Sequence, residues 1–156
     1  MKKLAIVVLL VLAGCRRQVQ VTSTPTAITP PASANVTGAA TAREAVQLFL
    51  ATAKAQDLQA MSNVWGTSAG PARTSTVFSA AELEQREIVL MKCLRHDSYS
   101  ILGETPAAGG ERVFSVELRL GSLPLRSDFT TTQGPASRWY VRTFDFEKLQ
   151  QICQRR

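Results

Sequence analysis

The spacing of apolar residues changes once along this chain, near Asp97, and that change sets the class of fold it can adopt. Upstream the period is helical. Val46, Phe49, Leu50 and Ala53 fall at i, i+3, i+4 and i+7, an apolar stripe along one helix face. Thr41-Ala42-Arg43-Glu44 in front of it reads as a capping box. Asp57 is placed to cap a second short helix whose Leu58, Met61, Val64 and Trp65 share a face. Residues 66–76, rich in Gly, Ser, Thr and Pro, read as a loop. A second capping box follows at Ser79-Ala80-Ala81-Glu82, with Phe78 and Leu83 spaced as a hydrophobic staple, and this third helix runs through Leu90, Cys93 and Leu94 to about Arg95.

Beyond Asp97 the period is two. Tyr99 and Ile101 open a strand, and residues 106–110 form a turn. Phe114, Val116, Leu118 and Leu120 then alternate with Ser115, Glu117 and Arg119, the pattern of a half-buried antiparallel strand. A third strand is expected within residues 123–132, with Pro124 holding its start to an edge. Gly134-Pro135 turns the chain into a fourth over residues 138–144, with Trp139, Val141 and Thr143 opposite Tyr140, Arg142 and Phe144. Asp145 is placed to cap a last short helix carrying Leu149, Ile152 and Cys153. Helices first and strands second give an α+β fold: N-terminal helices packed on a curled antiparallel sheet of about four strands, with a short C-terminal helix.

The segment before Thr41 is of another kind. Met1-Lys2-Lys3 precedes an unbroken apolar run, the pattern of a secretory signal. As a helix the run would span roughly 16 Å, about half of a bilayer's hydrocarbon core, too short for a permanent anchor. It ends Leu12-Ala13-Gly14-Cys15, which resembles the bacterial lipobox. The resemblance implies cleavage before Cys15, removal of residues 1–14, and two or three fatty acyl chains such as palmitate on Cys15, enough for durable anchoring. Arg16 and Arg17 would then meet the headgroups, each contributing about 1 kcal/mol at an anionic surface. Position 16 is not the Asp that favours inner-membrane retention in enteric bacteria, which implies the periplasmic side of an outer membrane if the host has two membranes. Residues 18–40 carry no charge and are dominated by Thr, Ser, Ala and Pro. Such a stretch cannot bury enough apolar surface to order itself, so residues 15–40 are expected to be a lipidated, disordered tether and residues 41–156 one folded domain.

Charge excludes one class of partner. Without Lys2 and Lys3, sixteen basic residues face twelve acids, and Arg16 and Arg17 belong to the tether, leaving fourteen against twelve. The folded part is near neutral, whereas a nucleic-acid binder concentrates basic charge on its domain.

Ala45-Val46-Gln47-Leu48-Phe49-Leu50, then Asp57-Leu58-Gln59-Ala60-Met61, and late in the chain Arg138-Trp139-Tyr140-Val141, resemble NTF2-like (cystatin-like) lipoproteins. The resemblance covers most of residues 41–153 through loose, mainly hydrophobic motifs. It implies a cone-shaped α+β roll with a cavity between helices and sheet. Two features depart from it: the strand expected between the second and third helices is not visible, and a closing helix follows the sheet.

With Cys15 assigned to lipid, Cys93 and Cys153 remain. They are expected to pair, as cysteines of exported domains do; two buried free thiols in apolar stripes are the alternative. Neither lies in a C-x-x-C pair, so zinc and redox catalysis are not indicated. His96 is the single histidine. Beside Asp97 it is a conceivable general base, but at a helix-to-strand junction a cationic side chain also suits the helix C-terminus. Glu117 alternates to the solvated face, while Asp128 could face the cavity. Trp65, Trp139, Tyr140 and His96 are the candidate pocket residues, with core packing the plainer role for the aromatics. No phosphate loop, metal-ligand cluster, cofactor motif or nucleophile elbow is visible. The reading is therefore a non-enzymatic, membrane-anchored envelope lipoprotein binding a partner protein or a small apolar ligand. The alternative is an enzyme of the same cone fold with His96, Asp97 or Asp128 in its cavity.

Overall fold

The computed structural model describes residues 37–154; the signal, Cys15 and the tether up to residue 36 lie outside the described residues. The first helix, α1 (Ala42–Ala55), starts where Thr41 accepts the Glu44 N–H, and Glu44 reaches back one residue beyond the expected position, to the Ala40 N–H at 2.9 Å. Its stripe of Val46, Phe49, Leu50 and Ala53 is buried as the spacing requires. α2 (Leu58–Val64) is capped by Asp57, whose carboxylate accepts from the Ala60 N–H at 3.0 Å. α3 (Ala80–Cys93) opens with both halves of the capping box between Ser79 and Glu82 in place. Phe78, expected to staple onto Leu83, carries the Arg86 guanidinium over its ring at 4.3 Å.

The segment between α2 and α3, read above as a loop, holds a two-residue hairpin, β1 (Gly66–Thr67) and β2 (Gly70–Pro71). Gly66 is needed there, because a Cβ would stand 2.4 Å from the Gly70 carbonyl oxygen. The main sheet is antiparallel in the order β3 (Ser98–Pro106), β4 (Arg112–Leu120), β5 (Leu123–Gln133), β6 (Trp139–Phe144). β5 is an inner strand, yet Pro124 fits: β6 pairs only with Phe129 to Gln133, so the first half of β5 is open on that side. The far edge of β6 is covered by single bridges from Ala39 to Trp139 and from Trp65 to Val141.

The molecule is thus α+β: helices, a four-stranded antiparallel sheet, and a short closing helix, α4 (Gln150–Gln154). α4 docks through Ile152, helped by Leu149 in the 3-10 turn before it, both buried, and Cys153 is joined to Cys93 at the end of α3, Sγ–Sγ 2.02 Å. Two expectations are corrected. The folded body begins before residue 41: Ala39 exchanges backbone hydrogen bonds with Trp139, and Arg138 donates to the carbonyls of Thr37 and Gly38. The interior cavity implied by the cone is filled instead, with Phe114, Val116, Leu118, Phe129 and Val141 of the sheet packed against α1 in one buried cluster.

Candidate functional site

The four residues put forward as pocket lining do not converge on one cavity. Trp139 is half-buried against the core. Tyr140 is buried on the opposite face of the sheet, its hydroxyl 3.3 Å from Thr37 Oγ1. Added Cβ atoms on Gly38 and Gly134 would each come within 2.8 Å of its ring, so Tyr140 clamps the first described residues onto the sheet. That is a packing role.

His96 is buried at the junction of α3 and β3, its ring edge-on to Tyr99 and its Nδ1–H donating to the Leu94 carbonyl at 2.7 Å. Nε2 has no partner among the described residues. Burial pushes its pKa down, which favours neutral imidazole and corrects the expectation of a cation at the helix end. The Asp97 carboxylate accepts the Gly121 N–H at 2.6 Å, in the turn between β4 and β5. Asp128, which could have faced the cavity, lies on the outer face of β5, about half exposed and 3.7 Å from Lys148 Nζ. Glu117 is on that outer face too, as expected, bridged to Arg119 and Arg126, which hold its carboxyl below the usual range. Among the described residues no group of three His, Cys, Asp or Glu side chains is placed to hold a metal.

Trp65 alone of the four lines a sizeable cavity. The chain leaves α2 at Trp65, turns through the β1–β2 hairpin and the 3-10 turn Ala72–Thr74, then rises past Val77 and Phe78 to the cap of α3. This excursion walls a groove of about 430 Å³ bounded by Trp65, Pro71, Ala72, Val77, Phe78 and Arg142. Its lining is mostly carbon, and Val77 stands 77% exposed. On the other side of Phe78 lies a second cavity of about 450 Å³, between α2, the 3-10 turn and α3. It is polar and holds the residue the sequence did not flag: Glu87, 4% exposed, with Oε1 unpartnered. Burial raises its pKa to about 7, reinforced by Glu84 and opposed by Arg73 and by a hydrogen bond from Ser62.

A pH dependence follows. Unfolded, Glu87 ionises near 4.5; folded, it keeps its proton to about 7. Between those values the folded state binds the extra proton, so this contribution to stability is full below pH 4.5 and is lost as pH rises through 7. His96, with its lowered pKa, acts in the opposite sense as pH falls below its ordinary value. The check is therefore a difference: urea midpoints of wild type relative to Glu87→Gln should fall from pH 4.5 to 7, and parallel curves would contradict the burial of this carboxyl.

Comparison with family models, with curated proteins and with solved structures found no match to the chain.

Proposed function

We propose that the protein is an envelope lipoprotein, held at a membrane by acyl chains on Cys15, whose folded domain is a non-enzymatic binding module for a small apolar ligand or an apolar side chain of a partner protein. The observation that carries the binding part is the carbon-lined groove beside Trp65, set against an interior that is already packed. Its volume lies in the range of small-molecule sites. Exposed Val77 on one wall, with Val89 on the neighbouring surface of α3, supports a protein occupant equally well. The anchoring part rests on the lipobox resemblance; among the described residues no helix is long and apolar enough to cross a membrane. The alternative, an enzyme, would draw on His96 and Asp97, which line one small cavity, or on the buried Glu87 carboxyl, which shares a cavity with Arg73.

The groove is tested on the full chain in a Trp139→Phe background, where Trp65 is the one remaining tryptophan. Titrated anilinonaphthalene sulfonate should accept energy from Trp65 and saturate. Val77→Asp should weaken it by about tenfold, the loss of one well-covered aliphatic contact. Non-saturating binding, or an unaffected Val77→Asp variant, rejects the groove. In the same preparations Cys15→Ser should move the protein from the detergent phase to the aqueous phase; retention in detergent rejects the lipid anchor.

A further inference from the structure

We propose that the polar cavity between α2, the Ala72–Thr74 turn and α3 binds a zwitterionic small molecule of the free amino acid class, its ammonium on Glu87 and its carboxylate on Arg73. The starting point is a carboxyl that the fold buries and leaves incompletely partnered. Glu87 lines the cavity at 4% exposure, and its Oε1 meets no donor among the described residues. The Ser62 hydroxyl, which donates to the Gln59 carbonyl at 3.1 Å, also favours the Glu87 carboxylate, so Oε1 is the atom left without a donor. Leaving such a group unpaired is costly, and an ammonium supplies both charge and donors.

Arg73 makes the complementary half. Its guanidinium is held by neutral acceptors, Asn63 Oδ1 at 3.2 Å and Gln59 Oε1 at 3.4 Å, and forms no ion pair among the described residues. It lies on the same cavity and acts on Glu87 through space, but not in contact. A plain amine would leave the exposed guanidinium to water, and a plain carboxylate would leave the buried Glu87 unanswered. One molecule bearing both charges answers each. Glu84, also on the wall, strengthens the bias of the Glu87 end towards a cation. Leu58, Phe78 and Leu83 line the remainder and suit a carbon side chain. The raised pKa of Glu87 agrees with this arrangement, since an arriving ammonium would stabilise the carboxylate that burial disfavours.

The test is calorimetric titration of the full chain with L-leucine, with 3-methylbutylamine (leucine without its carboxylate) and with 4-methylpentanoate (leucine without its ammonium). Leucine should bind saturably, and each analogue at least about tenfold more weakly. Glu87→Gln should weaken leucine and the amine while sparing the acid; Arg73→Gln should weaken leucine and the acid while sparing the amine. Thermal unfolding of both variants checks that they fold. Absence of saturable leucine binding, equal affinity for the three compounds, or a folded Glu87→Gln variant that binds leucine like wild type overturns the proposal. Val77 does not line this cavity. Val77→Asp should therefore leave leucine binding unchanged, so the fate of the apolar groove is read separately.

Discussion

Replacing Phe49 by alanine is expected to destabilise the domain by about 3–5 kcal/mol, the upper range for removing a buried aromatic. Phe49 is fully buried on α1 and stands between two sheet rings: Phe129, edge-on at 6.4 Å between centroids, and Phe144, tilted at 6.1 Å. Those two stack on each other at 5.3 Å, so one side chain joins the helix to β5 and to the edge strand β6. A domain of this size is typically stable by about 5–15 kcal/mol, so the variant would lose a large share of its margin. Phe49→Leu, which keeps most of the volume, should cost under about 2 kcal/mol. The measurement is the urea midpoint at constant slope. It also decides how the interior is used: side chains around a hollow cone have fewer contacts to lose, and a cost for Phe49→Ala below about 1 kcal/mol would contradict the packed interior.

What the sequence made legible was what burial from one side imprints. α1 and β4 each hide one face and show the other to solvent, so their periods of 3.6 and two were readable, and every inward residue expected of them through Leu118 is buried. β6 misled for the same physical reason. Opposite Thr130 and Thr131 it carries one extra residue, Arg142, so the alternation slips and Phe144 joins Val141 on the core face. Its other face is covered as well, where Tyr140 lies under Gly38, and no strict alternation can describe a strand buried on both sides at one end. The hairpin beside Trp65 was illegible because two-residue strands have no period. Glu87 escaped for a different reason: within Glu84-Gln85-Arg86-Glu87 it looks like one more solvated charge on a polar helix. Only the packing of α2 and the 3-10 turn over that helix distinguishes it from Glu84, while the adjacent Ile88 and Val89 are left exposed.

Removing the Cys93–Cys153 bridge is expected to cost about 2–4 kcal/mol, which lowers Tm by roughly 8–16 °C for a domain of this length. The bridge closes a loop of 60 residues that contains the whole four-stranded sheet, and chain entropy alone would place its contribution at about 4 kcal/mol. The local effect should exceed the global one. α3 buries few side chains of its own, namely Glu87, Met91 and Cys93, so much of its hold on the body passes through the bridge to α4 and from there to the buried Leu149 and Ile152. Since α3 also forms a wall of the polar cavity, opening the bridge should loosen Glu87 relative to Arg73. The double variant Cys93→Ala/Cys153→Ala avoids an unpaired thiol, and dithiothreitol-treated wild type is its control. Both should unfold earlier by a similar amount, lose amide-exchange protection first over residues 147–154, and bind leucine more weakly if the polar cavity is its site. Two alkylatable thiols in the native protein, or identical midpoints with and without reductant, would show that apolar packing alone holds the closing helix in place.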